Sequence, residues 1–403
     1  MMRLSGSRAW LIVWGVAVAQ LVSWGTQFYA FALYVVPMEK SLGWSRTELN
    51  AALSIGLLVA GLVAVPVGSW IDRVGGRALM TGGSLLGAAL LALWPMIGSL
   101  WLFYALWAVL GLSMAATLYD PAFAVMTRTF PQDYRRAITA VTLVGGLAST
   151  AFIPLTQLLI ERMGWHHSLY VLAAFNVLCA AIHGSLIPRA VPPAHRAPAA
   201  GNGEGLRAAL GRPSFWALTL SFTLNALTFT ALIFHLVPLL SDRGLGMELI
   251  VAGFTLIGPM QVAGRILLVT FGRRLSMGGV GSLVILAYPI AIAILMLPPS
   301  AATLFSFATI YGLANGTLTI IRGVIVADYY GQRAYGAING AITMPTSMAR
   351  AAAPFLAAVI WQASGGYTPV LWALLVVALV SALCFWLAVA IERRRVRPLD
   401  AGS

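Results

Sequence analysis

Residues 68–77 read Gly-Ser-Trp-Ile-Asp-Arg-Val-Gly-Gly-Arg, a short charged stretch between two long apolar runs. The flanking runs, 48–71 and 78–97, are each long enough to cross a bilayer core, which takes about 20 helical residues. A charged loop between two such runs is typical of a helical hairpin in a membrane. The stretch therefore predicts a helical membrane protein.

The composition of the whole chain supports this prediction. Of its 403 residues, 60% are hydrophobic and only 9% are charged, a balance that the surface of a soluble protein does not have. The net charge of +13 is spread singly between apolar runs, without a basic stripe interleaved with aromatic residues, which argues against a nucleic-acid partner. Membrane topology and lipid headgroups explain the charge better.

Twelve apolar runs of spanning length follow one another along the chain. We therefore predict an all-α membrane protein with twelve transmembrane helices in two pseudo-symmetric six-helix bundles. The first run follows Arg3 and Arg8 and has no signal-peptide cleavage site, so we expect it to be retained. The predicted spans are 9–36, 48–71, 78–97, 101–127, 137–160, 166–187, 214–240, 247–271, 278–297, 302–327, 337–361 and 368–391.

One long polar insertion divides the chain. Residues 188–212 are rich in Pro, Ala and Gly and predict a cytoplasmic linker between bundles at 1–187 and 213–403. The charged loop after helix two is partly repeated after helix eight, as Gly264-Arg265 and Phe271-Gly-Arg-Arg274. Internal repeats are a common feature of transporters that work by alternating access.

The distribution of Lys and Arg predicts the orientation. With the N-terminus inside, most of the 25 basic residues fall in cytoplasmic segments, and Lys40, Arg46, Arg162 and Arg243 fall outside. The positive-inside rule then puts both termini in the cytoplasm of a bacterial-type inner membrane.

The stretch at 68–77 resembles the G-x-x-x-D-R-x-G-R-R signature of the major facilitator superfamily, which lies between helices two and three. In that family the loop locks the cytoplasmic side by pairing with a neighbouring helix end, and the first glycine permits close helix approach. The resemblance implies a gating role for Gly68, Asp72, Arg73 and Arg77. Simple positive-inside anchoring would explain the two arginines but requires neither Asp72 nor the glycine spacing.

Other motifs look like one branch of that superfamily, the monocarboxylate and oxalate:formate transporters. They are Gly43-Trp44-Ser45-Arg46, His235-Leu-Val-Pro238 and Gly264-Arg265. Proton-coupled drug exporters differ, because helix four here has no Arg ahead of Gly111 and helix five lacks their G-P-x-x-G-G signature.

The few charges inside predicted spans indicate the substrate class. Asp120 is the one acid well inside a span, whereas Arg265, Arg322 and Arg350 all lie in spans of the C-terminal bundle. Charges at bilayer depth need a partner, so this positive excess calls for an anion. Because the guanidinium fork gives a carboxylate two parallel hydrogen bonds, a small organic anion is the expected ligand.

The family resemblance adds roles for two of these arginines. The oxalate:formate antiporter is understood to hold its substrate between an Arg in helix eight and a Lys in helix eleven, and Arg265 and Arg350 resemble those positions. The acid one turn before the helix-eight Arg of monocarboxylate transporters is Gln261 here. Proton coupling would then fall to Asp120 or His235, with exchange and uniport also open.

Alternatives exist for each charge. Asp120 and Arg322 fall at similar depth when the two halves are aligned, which predicts a pair across the cavity or a static salt bridge. Arg350 could bond backbone carbonyls near Pro345 or Pro354, and Arg265 could extend toward the cytoplasm.

Among the uncharged polar residues, we expect Tyr29 and Gln261 to line the cavity. Cys179 and Cys384 lie in apolar runs and predict packing roles, and neither a metal nor another cofactor is expected.

These patterns predict a secondary active transporter of monocarboxylates or short dicarboxylates, with a drug or toxic-compound exporter as the alternative. An enzyme is not expected, because His166 and His167 are adjacent and no nucleophile and base can be paired within the membrane. The expected partners are a small anionic substrate, protons and membrane lipids, and we expect a monomer.

Overall fold

The computed structural model describes residues 6–189, 203–271 and 276–396. This part of the chain is helical apart from turns and one isolated bridge between Gly203 and Gly331. Its α-helices, numbered in chain order, are α1 (Ser7–Trp24), α2 (Phe31–Leu42), α3 (Arg46–Leu62), α4 (Ala64–Val74), α5 (Arg77–Leu93), α6 (Leu100–Thr117), α7 (Tyr119–Thr129), α8 (Tyr134–Gly145), α9 (Ala148–Leu186), α10 (Leu206–Leu210), α11 (Pro213–Asp242), α12 (Met247–Phe271), α13 (Met277–Met296), α14 (Ala301–Tyr330), α15 (Tyr335–Ser364) and α16 (Tyr367–Val396).

Some of the predictions concern residues outside this part of the chain. The linker at 188–212 includes 190–202, and the partial repeat of the charged loop includes residues 272–274. Several arginines behind the predicted orientation are also outside it: Arg3, Arg196, Arg273, Arg274 and Arg397. The linker and the orientation stay predictions.

The first span is longer than the predicted 9–36. It consists of α1, a π-helical turn at Gly25–Tyr29 and α2. Pro37 lies inside α2 without ending it, and the helix stops at Gly43, whose φ of 72° is left-handed. A proline costs a helix one backbone hydrogen bond, but a left-handed glycine ends it.

The π-helical turn is held by buried amides. The Gln27 Nε2 donates to the Asn176 Oδ1 at 3.0 Å, and the Asn176 Nδ2 donates to the Thr26 Oγ1 at 2.8 Å. The Ser113 hydroxyl donates to the Gln27 Oε1 at 3.1 Å. Polar side chains within a membrane bundle bond to each other because no water is present. This network fixes the turn that ends in Tyr29.

Several predicted spans are broken. The axis bends by 45° between α3 and α4, at Val63. The span predicted at 101–127 breaks at Leu118, just before α7, and Pro121 lies in the first turn of α7, where a missing N–H costs little. Gly164, with φ of 77°, divides α9 between the predicted fifth and sixth spans.

The helices fit the twelve-span prediction. Nine helical stretches of the described residues are long and apolar enough to cross a membrane, and the bent pair of α3 and α4 would be a tenth. One of the nine, Tyr134–Leu186, covers the fifth and sixth predicted spans. α15, the predicted eleventh span, contains Pro345 and Pro354 and is not among these stretches.

The chain forms two compact units. Unit 1 consists of the described residues of Met1–Gly205 and Tyr330–Met344, and unit 2 of those of Leu206–Tyr329 and Pro345–Ser403. The first ten residues of α15 therefore belong to unit 1 and the rest of that helix to unit 2.

A buried ion pair fixes the start of unit 2. Arg212, which precedes α11, forms an ion pair with Glu392 near the end of α16. Its Nη1 also donates to the Tyr329 carbonyl at 2.9 Å. These contacts hold the beginning of α11 and the ends of α14 and α16 together.

Candidate functional site

Asp72, on the last turn of α4, bonds to the beginning of α15. Its Oδ1 accepts the Gly336 N–H at 2.9 Å, and its Oδ2 accepts the Ala337 N–H at 2.8 Å. The first N–H groups of a helix have no partner within the helix, and the helix dipole favours a negative charge there. Asp72 thus caps α15 from another helix.

Glycines bring α4 and α15 together. A Cβ on Gly68 would lie 1.9 Å from the Gly336 carbonyl oxygen, and one on Gly340 would lie 2.4 Å from the Ala64 carbonyl oxygen. Both distances are too short for a side chain, so the two backbones touch directly. This contact places Asp72 within hydrogen-bond reach of α15.

The two arginines of the charged loop differ in their relation to Asp72, because Arg73, its neighbour in the chain, interacts with it through its charge. Arg73 is exposed, and Arg77 is half-buried at the first position of α5. Arg128, near the end of α7, donates instead to the carbonyl of Ile71 at 2.7 Å and to that of Asp72. It therefore adds side-chain hydrogen bonds to two carbonyls of the last turn of α4, one of which, that of Ile71, also accepts the Gly75 N–H.

We expect Asp72→Asn to destabilise the protein by about 2–3 kcal/mol, because it removes one charge-assisted hydrogen bond and leaves a buried N–H facing an amide NH₂. Thermal unfolding in detergent measures this loss. Glu39→Gln is the control, because Glu39 forms an exposed ion pair with Arg46, worth about 1 kcal/mol at most. Equal unfolding temperatures for the two variants would contradict the capping role.

Asp120 lies in the first turn of α7. Its Oδ1 accepts the Asn339 Nδ2 at 2.9 Å, and Asn339 is 2% exposed, one turn beyond Gly336 on α15. The first two turns of α15 thus bond to two carboxylates of unit 1, Asp72 and Asp120. The pairing of Asp120 with Arg322 stays a prediction.

In unit 2, Arg265 lies on α12 and is 3% exposed. Among the described residues, its Nε and Nη1 have no hydrogen-bond partner, and no carboxylate forms an ion pair with it. Burying a guanidinium without an acceptor costs several kcal/mol. An anion bound at Arg265 would remove this cost.

Close packing fixes the position of Arg265. A Cβ on Gly264 would lie 2.3 Å from the Leu313 carbonyl oxygen, and one on Gly316 would lie 1.9 Å from the Gln261 carbonyl oxygen. The turn of α12 that carries Gln261 and Arg265 therefore lies directly against the backbone of α14.

The other two candidate arginines are also in unit 2. Arg322 on α14 and Arg350 on α15 are both half-buried. The hydroxyl of Tyr288, which is 1% exposed, donates to the Asn315 Oδ1 at 3.4 Å. Asn225 and Arg350 also lie in the surroundings of this hydroxyl. Arg350 is thus near a buried group of uncharged donors and acceptors.

His235, on α11, has contacts at both ring nitrogens. Its Nδ1 lies 3.1 Å from the Tyr367 hydroxyl, and its Nε2 lies 3.0 Å from the Pro354 carbonyl oxygen. A carbonyl only accepts, so the Nε2 carries the proton in this bond. His235 thereby joins α11, α15 and α16.

Tyr29, at the end of the π-helical turn, is half-buried. Its ring centroid lies 5.2 Å from that of Phe28 and 6.2 Å from that of Trp24. The candidate residue is thus part of an aromatic group on unit 1.

The sequence did not identify several contact residues. The sequence places Arg128 in a cytoplasmic segment but does not show which carbonyls it bonds, and it gives no partner for Asn339, Tyr288 or Tyr367. One feature of the sequence indicates a contact at Asn339, namely that it is a polar residue within an apolar run. Nothing in the sequence shows that its partner is Asp120.

Comparison with known protein families and solved structures identifies the family and the fold of this chain. The family model of the Major Facilitator Superfamily matches residues 16–291. The chain belongs to the major facilitator superfamily. The structure of the human organic anion transporter MFSD10 (TETRAN) has the same fold, with a TM-score of 0.72 at 18% identity, covering 94% of this chain and 99% of that one. The predicted family and fold class are confirmed.

The curated relatives of this major facilitator protein have different substrates in their names. Monocarboxylate transporter 13 of Rattus norvegicus is 24% identical over 90% of this chain and 85% of its own length. The oxalate:formate antiporter of Oxalobacter formigenes is 29% identical over 40% of this chain and 38% of its own. The multidrug resistance protein MdtH of Edwardsiella ictaluri is 26% identical over 40% of each chain.

Membership of the superfamily establishes the general function. The protein is a multi-pass membrane transporter, and members of this family are transporters, not enzymes. They bind small substrates, and some couple transport to protons.

Proposed function

We propose that this major facilitator protein is a secondary active transporter of small organic anions, namely monocarboxylates or short dicarboxylates, and that it works by alternating access. The observation that carries this proposal is the buried Arg265, whose guanidinium has no carboxylate partner among the described residues. A cationic substrate at this position would add to the uncompensated charge, whereas a carboxylate would neutralise it. The name of the rat relative, a monocarboxylate transporter, supports the same class.

In this proposal Arg265 is the main substrate contact. Arg350 and Arg322 add positive charge from the same unit, and Gln261, one turn before Arg265 on α12, offers an uncharged amide. Tyr29 is the substrate-binding residue proposed in unit 1, where the amide network fixes its turn.

For the coupling ion, Asp120 is the first candidate. It is half-buried, and its Oδ1 accepts a hydrogen bond from Asn339, so a change in the charge of this carboxylate would act directly on α15. His235 is the second candidate, but both its ring nitrogens are used in joining three helices, which favours a structural role.

We assign the gating role to Gly68, Asp72, Arg73 and Arg77. The capping of α15 by Asp72 supports it, because a few hydrogen bonds at a helix end can form and break as a unit. We place the protein in a bacterial-type inner membrane with both termini in the cytoplasm. Its two bundles would be 1–187 and 213–403, joined by the linker at 188–212.

A second candidate function is drug or toxic-compound export. The match to MdtH over 40% of the chain favours it. The buried positive charge of unit 2 argues against cationic drugs, though anionic compounds would fit.

Uptake into proteoliposomes tests the proposal. Radiolabelled pyruvate, lactate and oxalate are compared with tetraphenylphosphonium, a lipophilic cation, each with and without a pH gradient. We expect saturable uptake of at least one anion and none of the cation. Stimulation by the pH gradient would show proton coupling, and stimulation by unlabelled anion inside would show exchange. Cation transport without anion transport would overturn the proposal and favour drug export.

A further inference from the structure

An apolar groove opens on unit 1 where α4, α5 and α6 meet. Its volume is about 520 Å³, and every residue that lines it is apolar. This volume is within the range of about 300–1,000 Å³ found for small-molecule sites. We call it the α4–α6 groove, and its lining includes Pro66, Trp70, Leu79, Gly82, Leu86 and Leu112.

Two adjacent glycines of α5 line the groove, and they differ in their surroundings. A Cβ on Gly83 would lie 2.6 Å from the Ala116 Cβ, so the packing of α5 on α6 accounts for Gly83. A Cβ on Gly82 would meet nothing within 4 Å. A glycine inside a helix lowers its stability by about 1 kcal/mol relative to alanine, and no packing contact within the described residues requires a glycine at position 82. The missing side chain does keep the groove open.

The position of the groove fits one leaflet of a bilayer. Along α5 it extends from Ala78 to Leu86, about 12 Å of helix, which is less than half of a hydrocarbon core of about 30 Å. At its end lie Arg73, exposed on the last turn of α4, and Arg77, the first residue of α5. Trp70 lines the groove next to them and is 49% exposed, as expected of an indole at the membrane interface.

We propose that the α4–α6 groove binds one acyl chain of an anionic phospholipid, with the phosphate of that lipid bound by Arg73 and Arg77. Arginine binds phosphate through two parallel hydrogen bonds, and basic residues beside a cleft between membrane helices select acidic headgroups. The lipid lies in the leaflet on the side of Arg73, which is the predicted cytoplasmic side. This site is separate from Arg265 and does not depend on the proposed substrate.

Native mass spectrometry of the purified protein tests the site, with phosphatidylglycerol and phosphatidylcholine of identical chains titrated in parallel. The wild type should retain one phosphatidylglycerol, with a preference over phosphatidylcholine on the order of tenfold or more from the two arginines. Gly82→Phe fills the groove and should lose this lipid. Leu85→Phe, at a position that is 49% exposed on α5 but outside the groove lining, adds the same ring and should retain it.

The double variant Arg73→Gln/Arg77→Gln leaves the groove open and should bind the two lipids equally, so the headgroup part of the proposal is tested even if Gly82→Phe does not fold. Equal retention of the two lipids by the wild type would indicate annular lipid only and would overturn the proposal. Retention of phosphatidylglycerol by Gly82→Phe at the wild-type level would also overturn it. A wild-type dimer that Gly82→Phe dissociates would do the same, because a second copy of the protein would then occupy the groove.

Discussion

Replacement of Arg265 by glutamine is expected to lower kcat/KM for anion uptake into proteoliposomes by about two to three orders of magnitude. Truncating one partner of a buried, hydrogen-bonded charge pair costs about 2–5 kcal/mol, and each 1.4 kcal/mol corresponds to a factor of ten. Arg265 is 3% exposed, and the part of the chain that the structure describes offers its guanidinium no carboxylate partner. Glutamine keeps donors at this position but loses the charge that holds a carboxylate.

Two further variants make this test specific. Arg265→Lys keeps the charge but not the planar fork, so we expect an intermediate loss of uptake. Arg46→Gln removes an exposed arginine, with a side chain 67% accessible, and should leave uptake unchanged. Uptake of the same anions by Arg265→Gln at the wild-type rate would show that this residue does not bind substrate.

The second large effect is expected for Gly68→Ala. The added methyl would lie 1.9 Å from the Gly336 carbonyl oxygen, which belongs to the backbone and cannot turn away. α4 and the start of α15 must then move apart, and the two hydrogen bonds of Asp72 weaken with them. Overpacking alone costs about 1–3 kcal/mol, so the total destabilisation should exceed that of Asp72→Asn. Thermal unfolding in detergent measures it.

Gly82→Ala is the matched control, because it makes the same chemical change in a helix where the new methyl meets nothing within 4 Å. We expect it to be neutral or to raise stability by up to about 1 kcal/mol. If the two alanine variants unfold at the same temperature, the contact of α4 with α15 does not hold this part of the protein together.

Much of the fold could be predicted because each span needs about 20 consecutive apolar residues, a pattern that is visible within one segment of the sequence. The breaks within helices could not. A proline favours a helix break close to it, but in the fourth predicted span the break is at Leu118, three residues before Pro121. The π-helical turn at Gly25–Tyr29 has no sequence signal, since it depends on a network in which Gln27 and Asn176 are 149 residues apart.

The candidate site was predictable in part for a similar reason. Gly68 and Asp72 form part of a motif whose spacing is readable in one segment. Their partner, Gly336, has no such signal, because its backbone N–H is what Asp72 binds and every residue but proline has one. Arg265 stood out as a charge in an apolar run, but its lack of an acidic partner could be established only from the neighbours that the fold gives it.

The division of α15 has a practical consequence for spectroscopy. Met344 is the last residue of this helix in unit 1, and Pro345 is the first in unit 2. Two spin labels about three turns apart on α15, such as at Ala341 and Ala352, would therefore lie in different units although they are on the same helix. Each label on α15 should be assigned to a unit by the side of Pro345 on which it lies. The distance between two labels on opposite sides of Pro345 would show whether α15 bends at this residue during the transport cycle.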